Sequence, residues 1–209
     1  MIEIKHLKTG AVLYRLEAAS LAGLKLMSVK LPGANLAGVD LSGASLKNCD
    51  LRDADLTEAN LEGAELVDSC LSGARMTQTN LYKADLSNAV LTAADLSGAC
   101  LQEAHLRYAK LSGANLSGAD LTSADCSMAD LRANLVQANL TGANLQCANL
   151  SGADLTNSDL TRANFRGASV TCTKWGGAKL LNTIDAHGNK SSSTPDARKT
   201  NRPWWQFWS

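Results

Sequence analysis

An apolar residue returns at every fifth position between Leu36 and Leu131, and it is leucine at every step except Met76 and Cys126. Two positions before each of these centres stands a second small residue. It is mostly alanine, with these substitutes: Val39, Cys49, Ser69 and Thr79. A tandem repeat of five residues therefore constrains the fold more than any other feature of the chain.

The five-residue period excludes the two simplest regular structures. Five residues advance a helix by about 140°, so the leucines would surround it and leave no apolar stripe. A flat strand alternates with period two, so an odd repeat would place successive leucines on opposite faces. If each repeat holds about three extended residues and then a corner, the centre and the residue two before it both point inward. The sequence therefore predicts a solenoid.

The repeats resemble those of a known family. Residues 54–58, 59–63 and 114–118 follow the order alanine, aspartate or asparagine, leucine and two variable residues. This order is similar to that of the pentapeptide-repeat proteins, from about residue 21 to residue 180. The resemblance implies an all-β fold, a right-handed quadrilateral parallel β-helix with four repeats in each coil. About eight such coils would form a tube roughly 40 Å long at about 4.8 Å per coil.

The chain divides into three predicted parts. Residues 1–20 read as two short strands around a turn at 8–10, so we expect a hairpin that caps the exposed first edge. The β-helix is predicted over residues 21–185. Residues 186–209 lack the period and contain glycine, serine and proline, which predicts a flexible linker and an aromatic C-terminal tail.

Two departures from the repeat are visible. Leu131 is followed by Leu135 instead of an apolar residue at position 136, so one outward residue is missing and we expect one edge of the tube to tighten or kink there. Phe165, Val170 and Trp175 continue the inward step with larger groups. This enlargement predicts a plug that closes the last coil.

Polar residues recur at fixed places in the repeat. Aspartate or asparagine usually precedes the centre, as at Asn35 and Asp55, and we expect it to bind nearby backbone at the bends. Glycine is common two positions after the centre, as at Gly63 and Gly113, where a corner requires unusual dihedral angles. Neither pattern indicates catalytic carboxylates or a phosphate-binding loop.

The sequence predicts no catalytic, cofactor or metal site. A core filled by leucine and alanine leaves no interior cavity for a small-molecule substrate. The three histidines are far apart, and the six cysteines lack the spacing of metal ligands. We therefore expect no cofactor, and free thiols in a reducing cytosol.

Charge is unevenly distributed on a chain of zero net charge. Residues 34–171 carry sixteen acidic and nine basic side chains, whereas the basic side chains outnumber the acidic ones in 1–33 and 172–209. The chain ends with four aromatic residues that we predict to bind a protein partner, because such residues dominate interfaces: Trp204, Trp205, Phe207 and Trp208. Two alternatives are that they fold back over the last coil, or that they bind a membrane surface near anionic lipid.

The predicted function is that of a non-catalytic protein-interaction or scaffold module. No signal peptide or membrane span is evident, which predicts a cytoplasmic rod, peripheral at a membrane if the tail binds lipid. Its faces would present these side chains to an unknown protein partner: Arg52, Tyr82, Arg107, Tyr108 and Arg132. Direct binding of nucleic acid is not expected from a neutral chain with an acidic shaft.

The family resemblance implies two further expectations. Some pentapeptide-repeat proteins mimic duplex DNA and bind a type II topoisomerase such as gyrase, and this is the alternative function. Mimicry of phosphates requires strong, continuous negative charge, whereas several arginines interrupt the mildly acidic shaft. A homodimer paired through the last coil is also implied by the family.

Overall fold

The computed structural model describes residues 1–190. At its start, strands β1 (Ile2–Lys5) and β2 (Val12–Leu16) pair in an antiparallel hairpin. The hairpin continues onto the solenoid, because the N–H of Asn35 donates to the carbonyl oxygen of Lys5 at 2.8 Å. The predicted hairpin therefore forms and covers part of the first coil.

Single parallel bridges join residues twenty positions apart from Lys25 onward, as between Lys25 and Ser45 or Asp95 and Asn115. Four five-residue repeats make a coil of this length, and the bridges continue to Ile184, so the chain winds through about eight coils. The structure confirms the solenoid and the size of its coil.

The inward positions form a continuous core along the tube. Between Leu31 and Leu160 every centre is at most 1% exposed, including Met76 and Cys126. Burial of each leucine contributes about 1.5–3 kcal/mol. Polar substitutes for alanine bind backbone carbonyls: the hydroxyl of Ser69 donates to the carbonyl oxygen of Leu66 at 2.6 Å, and that of Thr79 donates to the carbonyl oxygen of Leu56 in the preceding coil at 2.7 Å.

Each repeat turns a corner at its two outward residues. The N–H of Ala94, for example, donates to the carbonyl oxygen of Leu91 at 3.1 Å, which closes a four-residue turn. The second outward residue has a positive φ, 57° at Ala93 and 71° at Gly113. Among residues 1–190, nineteen residues with positive φ are not glycine, although this conformation costs a side chain about 1–2 kcal/mol. The predicted conformational demand of the corners is therefore confirmed.

The aspartates and asparagines before the centres bind backbone, as predicted. Oδ1 of Asp85 accepts the N–H of Ser87 at 3.0 Å, and Oδ1 of Asp95 accepts that of Ser97 at 3.1 Å. Most of these side chains are half-buried, and Asp55 is only 7% exposed. They are less exposed than the sequence indicated, because the coils stack at about 4.8 Å and neighbouring side chains cover them.

The repeat that lacks a residue has a tightened corner. The N–H of Ala133 donates to the carbonyl oxygen of Leu131 at 2.8 Å, two residues away, and the bridges shorten to nineteen residues. In the coil before, Gly113 donates its N–H to the carbonyl oxygen of Arg132. At the shortened corner, the residue whose N–H would donate to the carbonyl oxygen of Ser151 is missing. No other backbone N–H among residues 1–190 donates to that oxygen.

A glycine inserted between Arg132 and Ala133 should therefore be tolerated. It restores the four-residue turn, accepts a positive φ without strain, and supplies the missing donor to Ser151. The same insertion between Ser112 and Gly113 should lower the free energy of unfolding by about 0.5–3 kcal/mol. Chemical denaturation of both variants measures the difference, and equal destabilisation would contradict this account of the corner.

The last described coils contain the enlarged inward groups. Phe165 is fully buried and Trp175 is 5% exposed, and their ring centroids lie 5.7 Å apart. Leu180 is buried, but Leu181 occupies an outward position and is exposed. A turn beyond them is closed by the N–H of Asp185, which donates to the carbonyl oxygen of Asn189 at 2.8 Å.

Candidate functional site

The predicted partner-binding residues lie outside the described residues: Trp204, Trp205, Phe207 and Trp208. The same holds for most of the predicted linker. Their role stays a prediction. Among the described residues, the exposed side chains lie on the outer walls and at the ends of the tube.

Within residues 1–190, no group of three or more histidine, cysteine, aspartate or glutamate side chains is placed to hold a metal ion. His6 shapes the hairpin turn, because its Nδ1 accepts the N–H groups of Lys8 and Thr9 at 3.2 and 3.3 Å. The six cysteines are free thiols. Burial raises the pKa of the Cys126 thiol to about 12 and also raises the pKa of Cys49.

These environments predict selective labelling of the thiols. Cys49 and Cys126 should stay unmodified by an aromatic disulfide reagent at neutral pH, because they are buried and the thiolate is the reactive species. Cys147 and Cys172 are exposed and should react. Mass spectrometry of the labelled native protein gives the sites, and denatured protein, in which all six should react, is the control. Labelling of Cys126 in the native state would contradict the packed core.

Two of the predicted contact arginines already form ion pairs with neighbouring aspartates. Arg52 donates through two nitrogens to both carboxylate oxygens of Asp50 at 2.8 and 2.7 Å, and Arg132 binds Asp130 in the same way at 2.8 and 2.6 Å. Each guanidinium holds the pKa of its aspartate below the usual value. Neither arginine presents an unpaired charge to a partner.

Tyr82 is also held by its neighbours. The ammonium group of Lys83 lies 4.8 Å from the centre of its ring, and its hydroxyl lies 3.4 Å from Oε1 of Glu103. Glu103 in turn forms an ion pair with Lys83 at 3.5 Å. These three side chains therefore satisfy each other on the wall of the tube.

Arg107 and Tyr108 differ from the other predicted contact residues. Both are exposed, with the guanidinium of Arg107 lying 5.0 Å from the centre of the Tyr108 ring. Within the described chain, no carboxylate lies within ion-pairing distance of Arg107 or of nearby Lys110. On this part of the shaft, the cationic groups of Arg107 and Lys110 and the aromatic ring of Tyr108 are therefore accessible to a partner together.

The acidic charge of the shaft is partly neutralised. Seven of the sixteen acidic side chains in residues 34–171 lie within 4.0 Å of a basic side chain. Two of these partners, Lys174 and Lys179, come from the basic C-terminal segment and bind Asp154 and Asp159 at 3.2 Å. The resulting wall has mixed charge, which weakens a long-range negative field.

Comparison with family models decides the family. The model described as pentapeptide repeats, in eight copies, matches residues 34–73, 69–107, 99–132 and 133–171. The chain belongs to the pentapeptide-repeat family. The coils of this pentapeptide-repeat protein accordingly form the right-handed quadrilateral β-helix implied by its sequence.

Solved structures of the same family are similar to this pentapeptide-repeat protein. HetL, which is involved in heterocyst differentiation regulation in the cyanobacterium Nostoc sp. strain PCC 7120, is 30% identical with a TM-score of 0.58. The match covers 81% of this chain and 92% of HetL. A trypsin-treated variant of QnrB1, a plasmid-mediated fluoroquinolone resistance protein, is 20% identical with a TM-score of 0.56, covering 80% and 88%. The second likeness shows the fold alone.

The comparison with curated protein sequences found no significant match. Among residues 1–190, no helix is long and apolar enough to cross a lipid bilayer.

Proposed function

We propose that this pentapeptide-repeat protein is a non-catalytic protein-interaction or scaffold module. The observation that carries the proposal is the filled interior, in which leucine centres and alanines meet along the whole axis. A tube without internal space offers other molecules its outer walls and its ends. Rigid walls of this kind display side chains at fixed spacings, which is the property that a binding scaffold requires.

The contacts on the wall favour protein binding over chemistry. Enzymes need converging ionisable groups in a cleft, whereas the charged side chains here pair along the surface, as Arg52 does with Asp50. HetL, the relative at 30% identity, is involved in regulating differentiation. A regulatory role exerted through contacts with other proteins agrees with a rod of this construction.

The aromatic tail, residues 203–209, is proposed to be the second contact region. Tryptophan and phenylalanine side chains supply large apolar area and act as anchors in protein interfaces. A role as a cap over the last coil is the competing interpretation. A membrane surface is the third, given the basic residues that precede the aromatic ones.

Deletion of residues 203–209 tests the tail. We expect the truncated protein to keep its thermal stability and to lose co-purifying proteins relative to the full chain. Unchanged partners together with lower stability would assign the tail to capping. A loss of partition into anionic vesicles without loss of partners would assign it to the membrane.

A gyrase supercoiling assay with purified protein tests the DNA-mimic alternative. We expect no inhibition at micromolar concentration and no protection from fluoroquinolones, because the paired charges of the wall do not form a continuous acidic face. Clear inhibition or protection would replace the proposed function by this alternative.

A further inference from the structure

The corners of the tube reveal two unusual residues. The nineteen side chains with positive φ are mainly polar or small, and only Tyr108 and Met128 among them are large and apolar or aromatic. Their φ angles are 61° and 60°. The corners impose this conformation throughout the tube, and bulky side chains rarely adopt it. Neither side chain is placed there by the needs of the turn.

Tyr108 and Met128 are neighbours on one corner. They lie twenty positions apart, so they occupy equivalent places in successive coils, about 4.8 Å apart along the axis. Tyr108 is 47% exposed and Met128 is 44% exposed. Close to half of each residue is therefore exposed, and the two together leave a partly apolar strip on the surface of the tube.

Two cations that have no carboxylate partner among residues 1–190 flank this strip, and one of them, Arg107, donates a hydrogen bond to the Tyr108 hydroxyl at 3.4 Å. Arg107 packs on the Tyr108 ring at 5.0 Å, and Lys110 follows on the next wall, exposed. Asp130 lies beside Lys110 in the next coil, but both its oxygens accept hydrogen bonds from Arg132. We name Arg107, Tyr108, Lys110 and Met128 the Tyr108 ridge.

We propose that the Tyr108 ridge binds an acidic segment of a partner protein that carries an aromatic or aliphatic side chain. The apolar side chain packs on Tyr108 and Met128, and the flanking carboxylates pair with Arg107 and Lys110. This inference rests on the proposed function, and it adds a contact surface and the chemistry of the partner. Aromatic and arginine side chains at the centre of an interface supply most of its binding energy.

The distribution of charge favours a short acidic segment over a nucleic acid. Along the column of Arg107, the next arginine is Arg166, three coils away at about 14 Å. Ser127 and Gln146 lie between them. A long polyanion needs a continuous basic stripe and would meet the acidic remainder of the shaft. A short segment can pair with Arg107 and Lys110, where the neighbouring carboxylate of Asp130 is already paired with Arg132.

The test measures the binding of a fluorescently labelled peptide to the full chain by fluorescence anisotropy. The peptide is a run of glutamates interrupted by one phenylalanine. Two double variants remove the ridge: Tyr108→Gly with Met128→Gly, and Arg107→Ser with Lys110→Ser. Asn88→Gly is the matched control, since Asn88 has the same positive φ on the same corner one coil earlier. Further probes replace the phenylalanine by serine or the glutamates by lysine.

We expect each double variant to weaken peptide binding at least tenfold and Asn88→Gly to leave it unchanged. Both altered peptides should bind at least tenfold more weakly to the unmodified protein. The glycine double variant should melt at the same or a higher temperature than the unmodified protein, because glycine removes the strain of a positive φ. Loss of binding with no loss of stability separates a contact role from a structural one.

Several results would overturn the proposal. Unchanged peptide binding by the double variants, or a lower melting temperature of the glycine variant, would do so. Binding of duplex DNA or of anionic vesicles that depends on the ridge, in the absence of peptide binding, would show that the ridge has another occupant. Self-association that depends on the ridge would show the same. Failure of this test leaves the proposed function intact if tail deletion still removes protein partners.

Discussion

Replacing Leu96 by alanine should lower the free energy of unfolding by about 2–5 kcal/mol. Leu96 is fully buried in the middle of the shaft, with coils stacked on both sides. The narrow tube resists collapse onto the cavity, because the backbone of each coil is hydrogen-bonded to the coils on both sides. Urea denaturation followed by circular dichroism measures the loss.

Thr92→Ala is the matched control, because Thr92 is an exposed outward residue and its change should stay within about 0.5 kcal/mol. The opposite change at an inward alanine should also be harmful. Ala94→Leu adds volume to a filled wall and should cost about 1–3 kcal/mol. A Leu96→Ala variant as stable as Thr92→Ala would show that the core is not close-packed.

Replacing Trp175 by alanine should cost about 3–5 kcal/mol, with the loss confined to the C-terminal coils. The ring of Trp175 is 5% exposed and packs against Phe165 at an interplanar angle of 59°. Each coil of a solenoid contacts only its neighbours, so an end coil can open while the centre stays folded. Hydrogen exchange followed by mass spectrometry resolves the two regions.

In Trp175→Ala, amides of residues 155–184 should exchange faster while those near Leu96 keep their protection. Leu181→Ala is a suitable control, because Leu181 is exposed in the same coil. Faster exchange along the whole tube would instead show that the end coils set the stability of every coil, and uniform protection would show that Trp175 contributes nothing to closure.

The sequence predicted most of the fold because one physical requirement, burial of the central leucine, recurs in every five-residue repeat. Leu56 and Leu61 must both be buried, and only a corner between them achieves this. The tightened corner at Ala133 followed from a single missing residue. The partial burial of Asp55 did not, since it depends on side chains twenty positions away in the chain.

The sequence predicted only part of the candidate site. The sequence named Arg52, Arg107 and Arg132 together without ranking them, although a local signal distinguishes them. Arg52 and Arg132 each follow an aspartate by two positions, and the corner brings these side chains together. Arg107 instead follows His105 by two positions. The pairing of Tyr108 with Met128 was not predicted, although both residues lie two positions after a centre and twenty positions apart, which is the length of one predicted coil.

The ladder of hydrogen bonds between coils runs along the axis of the tube, and this direction has a mechanical consequence. Force applied between the N-terminal hairpin and the last coil would load the hydrogen bonds of one coil at a time, so the coils would detach one after another. Each step would release about twenty residues, or roughly 70 Å of extended chain. The tube would therefore yield to tension gradually, with one coil lost at each step.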